Sequence, residues 1–257
     1  MTRPAVLVTG GAKRVGAAIA EGFGKAGWHV VIHYRRSASD AAKLAAELPS
    51  AETVQCELSD PGAVEEMVLA LSARLPDWRC CVANAALFLP DDATALGEDL
   101  FDRLLAVNAK ASARLIQLYL AHASAPQGRR AIAVTDQKLF NPNPDFFSYT
   151  LSKAALAGAV PLLAMGAAQR MDRVYALAPG AILPSHDQDV AEAEVSHRLN
   201  LLQRKTTARE IADGCVFLAQ GLLASGETLL VDSGQHLLRQ ARDVIYLARD
   251  EPVGPPA

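Results

Sequence analysis

Three side chains in this sequence pose a chemical question. In "TDQKLFNPNPDFFSYTLSKAAL" Tyr149 and Lys153 stand four positions apart, which on a helix puts both on one face. Thirteen residues before the tyrosine, at the end of an apolar run, stands Asp136, an acid where a hydroxyl would be the ordinary choice. The question is which reaction wants a carboxyl group beside a tyrosine and a lysine. A Tyr/Lys pair alone is suggestive and no more, so its company decides.

The first companion is "VLVTGGAKRVGAAIAEGF", residues 6–23, where a strand ends at Thr9, a glycine-bearing turn follows and an Ala-rich helix begins near Gly16. Free backbone N–H groups at such a helix start can face a pyrophosphate. The spacing Gly10, Gly11, Gly16 departs from G-x-G-x-x-G. The second is the end of the next strand, "VVIHYRRSAS". A dinucleotide site for NAD places an acid there, whereas this chain has Arg35, Arg36 and Ser37. Two guanidinium groups and a hydroxyl suit a 2′-phosphate, so the cofactor expected is NADPH.

These residues need a scaffold. Short apolar runs at 5–9, 28–34, 53–56, 80–84, 131–135, 173–179 and 227–232 alternate with longer helical patterns. Runs apolar on both faces suit strands buried between helical layers, so the order predicts a parallel, doubly wound seven-stranded α/β sheet. The 257 residues, 51% of them apolar, suffice for one such domain, assigned to 1–240, with 241–257 as a C-terminal tail. A net charge of -3 argues against a nucleic-acid partner. No run reaches 18 uninterrupted apolar residues and no signal-like segment opens the chain, so no membrane partner and a cytoplasmic location are expected. Cys56, Cys80, Cys81 and Cys215 read as buried free thiols. His186, Asp187, Asp189 and His197 read as a polar loop and helix, so no metal is expected.

Thr9-Gly10 to Gly16, "ANAA" at 83–86, Asn108 in "AVNAKAS", Tyr149 and Lys153, "APGAI" at 178–182 and "ASGETLLVDSG" at 224–234 occur in one order. That order resembles the short-chain dehydrogenase/reductase family from Ala5 to about Arg239. The resemblance implies a Rossmann-like fold and a homotetramer. It makes Tyr149 the proton donor, its titration brought down by Lys153 and a bound nicotinamide; Lys153 also holds the nicotinamide ribose and Asn108 completes a proton relay through water. It implies cofactor contacts from Gly10, Lys13, Arg14, Val15, Gly16, Tyr34, Arg35, Arg36, Ser37, Glu57, Leu58, Asn84, Ala85, Lys153, Pro179, Gly180 and Ile182.

One subgroup is closer. Lys13-Arg14-Val15-Gly16, the His33–Ser37 segment, Phe88 four residues past Asn84, and Asp136 in place of serine resemble pteridine reductases and bacterial dihydromonapterin reductases. "VDSGQHLLR" and "LAPGAILPSHDQD" are similar to the bacterial members. This resemblance answers the opening question. A ketone needs one proton on oxygen, for which Tyr149 suffices, whereas a pterin C=N bond needs a proton on nitrogen, which Asp136 could supply directly or through a water. The implied substrates are dihydropterins (dihydromonapterin, dihydrobiopterin) or dihydrofolate, stacked on Phe88 and contacted by Arg14, Asp136, Tyr149 and Arg239, the last reaching in from a neighbouring subunit. The chain departs from the subgroup at Ala86 and Leu87, where serines are usual, and at Ser233, which replaces the second glycine of "DGG". Two other readings stay open: a reductase of ketones or 3-oxoacyl thioesters in which Asp136 is incidental, and a catalytically silent NADPH-binding regulator.

Overall fold

A computed structural model describes residues 3–167, 169–185 and 188–250. Each apolar run is a strand: β1 (Ala5–Val8), β2 (His29–Tyr34), β3 (Ala51–Gln55), β4 (Trp78–Ala83), β5 (Arg130–Val134), β6 (Arg173–Pro179) and β7 (Thr228–Val231). All neighbours pair in parallel, in the order β3-β2-β1-β4-β5-β6-β7. The order reverses direction between β1 and β4. The carboxyl ends of these strands therefore diverge into a crevice, where open α/β sheets bind ligands.

Helices α1 (Arg14–Lys25), α2 (Ala38–Glu47), α3 (Pro61–Arg74), α4 (Glu98–Leu104), α5 (Ser112–His122), α6 (Phe147–Gly166), α7 (Val190–Ser196), α8 (Ala208–Ala219) and α9 (Val244–Asp250) complete the chain. Alternate residues of one strand feed two cores. Leu7 packs with Trp78, Leu115 and Leu156 on one side of the sheet, while Val6 and Val8 pack with Ile19, Phe23 and Ile211 on the other. Such strands cannot show a polar face, which is why the runs read so plainly. The four cysteines are buried and free. By length and mean hydropathy α6 could cross a membrane; here Leu156 and Val160 join the core and Leu162 and Met165 are exposed.

Three features depart from the sequence reading. Between α4 and α5, Leu105–Ala111 form a π-helical turn with Asn108 buried inside it; such turns insert an extra residue into a helix, often at functional sites. Ser233, where glycine is usual, takes the left-handed conformation (φ 54°), and its hydroxyl meets that of Thr206 at 2.6 Å. The expected tail is folded as far as it is described. Residues 241–250 return to the body and end in α9, with Val244, Ile245 and Ala248 buried. The apolar spacing of "VIYLA" is long enough for only two turns, and it becomes a helix because a surface waits for it.

Candidate active site

The crevice has two halves that share Arg14, Val15, Asn84 and Ala86 and enclose about 360 and 300 Å³. Both volumes are in the range of small-molecule sites. The first half begins at the turn after β1. Gly10 sits at φ 61°, and a side chain on Gly16 would meet the Gly10 carbonyl oxygen at 2.1 Å, so the turn needs glycine at both places. Thr9 clamps β1 to the end of β4: its Oγ1 accepts the N–H groups of Asn84 (2.9 Å) and Ala85 (3.0 Å). No side chain caps α1 and no acid lies in its first turn, so its N-terminal N–H groups are left for an anion.

His33 fixes this turn. The Gly10 N–H donates to its Nδ1 at 3.0 Å, and its Nε2 donates to the Cys56 carbonyl at 3.0 Å. The pair of bonds selects one neutral tautomer and joins the ends of β1, β2 and β3. Burial lowers its pKa to about 4, which keeps the ring neutral. Beyond it Arg35 is half exposed and 3.5 Å from Glu57, Lys13 pairs with Asp40 at 3.0 Å, and Arg36 is exposed. Ser37 stands before α2 with no side-chain cap bond, so its hydroxyl is not consumed by the helix. Lys13, Arg35, Glu57, Leu58 and Ala85 line this half of the crevice, beside the α2 start.

The second half contains the three residues of the opening question. Asp136, at the end of β5, accepts the Lys138 N–H on Oδ1 (2.8 Å) and the Tyr149 hydroxyl on Oδ2 (2.7 Å). Burial raises the Asp136 carboxyl above its usual range, against these two bonds and the charge of Lys153, while the charge of Asp243 adds to the rise. Lys153, one turn after Tyr149, donates to the Val134 carbonyl at 2.7 Å, and burial brings its pKa down to about 8. Burial, and after it the charge and hydrogen bond of the adjoining Asp136, push the Tyr149 phenol up, while Lys153 spends its bond on the β5 backbone. The tyrosine is thus a phenol that donates to a carboxyl.

Asn108 is buried, and its side chain is fully engaged: its Oδ1 accepts the Leu87 N–H (2.8 Å), and its Nδ2 donates to the Leu87 carbonyl and to Ser152 Oγ, both at 2.9 Å, so it ties the Leu87 loop to α6. Asp91 adds a second tie by accepting the Ser148 N–H at 3.1 Å. These ties set Phe88, which lines the crevice, stacks on Phe146 at 4.3 Å and meets the Tyr149 ring edge-on at 4.7 Å.

The wall opposite comes from the end of the chain. Lys138 Nζ pairs with Asp243 at 2.8 Å, Arg242 with Asp145 at 2.9 Å, and Asn141 bonds the Leu238 carbonyl. Asp243, Val244 and Ile245 thereby line the crevice. From the other side Arg14 donates to the Pro184 carbonyl at 2.6 Å, and Gln235 Oε1 accepts the Ala181 N–H at 2.9 Å to fix the loop of Pro179, Gly180 and Ile182.

Of the residues singled out from the sequence, the crevice brings together Gly10, Lys13, Arg14, Val15, Gly16, Arg35, Glu57, Leu58, Asn84, Ala85, Phe88, Asp136, Tyr149, Lys153, Pro179, Gly180 and Ile182. Tyr34, Arg36 and Ser37 lie just outside it. Arg239 is exposed and lines neither half in its own chain; Asp243 stands at the site instead, because the chain turns back after Leu238. His186 and Asp187 lie outside the described residues. Asp189 caps α7, and His197, held neutral by burial, lines the crevice. Sequence reasoning did not place His33, Gln137, Lys138, His197 and Asp243 at the crevice; the "HY" of the second strand and the polar loop holding His197 offered the signals.

A family model described as enoyl-(acyl carrier protein) reductase matches residues 10–236. Pteridine reductase 1 of Leishmania tarentolae is 31% identical, over 93% of this chain and 98% of its own length. The human dehydrogenase/reductase SDR family member 4 is 30% identical over 89% and 86%. The crystal structure of FolM alternative dihydrofolate reductase 1 from Brucella suis in complex with NADP is 35% identical, covers 93% of this chain and 97% of the other, and superposes with a TM-score of 0.86. The glycine turn, the buried Tyr149/Lys153 pair and these likenesses along the chain agree: it belongs to the short-chain dehydrogenase/reductase family.

Proposed function

We propose that this protein is an NADPH-dependent reductase that converts a dihydropterin, such as dihydromonapterin, dihydrobiopterin or dihydrofolate, to its tetrahydro form. The observation that carries the reading is the bond from the Tyr149 hydroxyl to the buried Asp136 carboxyl at 2.7 Å, at the substrate half of the crevice. A second proton donor of this kind is superfluous for a ketone and useful for a ring C=N bond. The likenesses to a pteridine reductase and to a dihydrofolate reductase solved with NADP support the same substrate class and cofactor.

The Gly10–Gly16 turn and the uncapped start of α1 fit a pyrophosphate, and Arg35, Arg36 and Ser37 fit a 2′-phosphate. Lys153 and the Pro179–Ile182 loop would hold the nicotinamide end. When bound there, NADPH supplies a hydride to a ring carbon. Asp136, whose carboxyl burial raises above its usual range, would give a proton to the adjoining ring nitrogen directly or through one water. Tyr149 orients the carboxyl through its bond to Asp136, and the nearby Lys153 ammonium offsets the charge left on the carboxylate. A solvent proton restores the pair. The exposed Leu151, Leu162 and Met165 on α6 support assembly into a homotetramer.

The test is a panel of dihydropterins, dihydrofolate, ketones and a 3-oxo ester, with NADPH consumption read by absorbance. Turnover is expected with the dihydropterins and dihydrofolate. Activity confined to the 3-oxo ester would establish the carbonyl-reductase reading, and none at all the silent one.

A further inference from the structure

Gln137 follows Asp136 directly and opens the short helical turn Gln137–Leu139. Its side chain is only 7% exposed and lines the substrate half of the crevice with Asp136 and Tyr149. Its Oε1 is sealed from solvent and has no hydrogen-bond partner among the described residues. Buried polar atoms are nearly always paired, so an orphan of this kind calls for a missing partner. The polar groups around it are already engaged. Asp136 takes the Lys138 N–H and the Tyr149 hydroxyl, Lys138 Nζ is held by Asp243, and Gln235 Oε1 takes the Ala181 N–H.

We propose that Gln137 reads the substrate, its amide pairing with the polar edge of the bound heterocycle beside the proton-donating pair. This rests on the dihydropterin reading. The terminal torsion of a glutamine is broad, so a small rotation turns its amide into the crevice at little cost. An amide presents one acceptor and two donors, and a 2-amino-4-oxo ring offers donors and an acceptor along one edge. A ligand that satisfies Oε1 relieves the free protein of an unpaired buried carbonyl, so binding and selectivity arise from one contact; a ring lacking the matching N–H leaves the orphan in place.

Gln137→Met keeps the volume and removes the polar atoms. If the amide serves the substrate, the free variant melts no lower than the unmodified protein, because an unsatisfied buried group has gone. Its KM for the dihydropterin rises about tenfold, while its affinity for NADPH stays within about twofold. A structural role gives the reverse, a lower melting temperature with an unchanged KM, and that result would overturn the proposal. Gln137→Leu is the second variant; if neither variant folds well enough to bind NADPH, the residue is structural and the proposal is wrong. Should the unmodified protein reduce no dihydropterin, the functional reading fails first. Should it reduce one and Gln137→Met keep the same KM, this inference alone fails.

Discussion

The two halves of the crevice are built in opposite ways. The cofactor half comes mainly from three consecutive strand ends within the first 60 residues, closed by the Asn84–Leu87 segment after β4, and its key constraint, the glycine turn pinned by His33, spans 23 positions. The substrate half is gathered from β5, α6, the loop after β6 and the end of the chain, and its Lys138–Asp243 latch spans 105 positions. The first half is a local grammar of turn and helix start that recurs wherever a pyrophosphate is held. The second is a set of tertiary agreements, free to change with the substrate. A common scaffold thus keeps one half and revises the other.

The sharpest test of this division is Asp136. Asp136→Asn keeps the shape and removes the acid proton, so dihydropterin turnover should fall by a factor of about 10²–10⁴ while NADPH binding barely moves. Asp136→Ser should not rescue it. Since burial holds the carboxyl above its usual range, unmodified turnover should decline as pH rises through that raised value, and the residual rate of the Asn variant should lack that limb. A variant with near-normal turnover would remove the carboxyl from the reaction.

On the cofactor side, replacing Arg35 and Arg36 together by alanine should cost about 10²-fold of the preference for NADPH over NADH, roughly tenfold for each exposed charge-assisted contact. Dihydropterin affinity should be unaffected at saturating cofactor. Equal efficiency with both cofactors in the unmodified protein would end the assignment of this corner to the 2′-phosphate.

His33 gives the comparison a thermodynamic form. Its pKa falls from 6.5 to about 4 on folding, so below about pH 6.5 the unfolded chain takes up a proton that the folded one refuses. The stability tied to the neutral ring is complete above that pH and is lost as pH falls toward 4, by up to roughly 3 kcal/mol. Melting curves of the unmodified protein and His33→Gln should converge over this range. Parallel curves would mean that the ring does not govern acid stability.

The smallest effect belongs to Phe88. Phe88→Leu should raise the KM for the dihydropterin a few-fold, from a stacking contribution of about 0.5–1.5 kcal/mol. Its contacts with Phe146 and Tyr149 also predict a lower melting temperature. A stability loss with unchanged kinetics would assign it wholly to the core.

The same division decides what was legible in the sequence. The seven strands, the glycine turn and the meeting of Asp136 with Tyr149 were readable, because each depends on apolar runs or on one strand–loop–helix unit. The side-chain partners of Asn108 were not readable, since nothing in its own neighbourhood says that Leu87 and Ser152 occupy both its amide protons. That Lys153 bonds the Val134 carbonyl was not readable either, since the packing of α6 on β5 sets it. The segment 241–250 looked like a tail because its helix has two turns and few local stops; Asp145 and Lys138 hold it from about a hundred residues away.

That last segment sets an order of events during synthesis. The residues that shape the dinucleotide turn are made before the wall formed by Asp243, Val244 and Ile245. A nascent or clipped chain that ends near Leu238 would keep the dinucleotide turn and β1–β7 but lose the Asp243 partner of Lys138 and the Ile245 face of the Phe146–Tyr149 cluster. The reaction chamber is thus closed by a segment that the dinucleotide turn does not need, so removal of the residues after Leu238 is expected to abolish dihydropterin turnover before it weakens NADPH binding, which limited proteolysis followed by both assays would check.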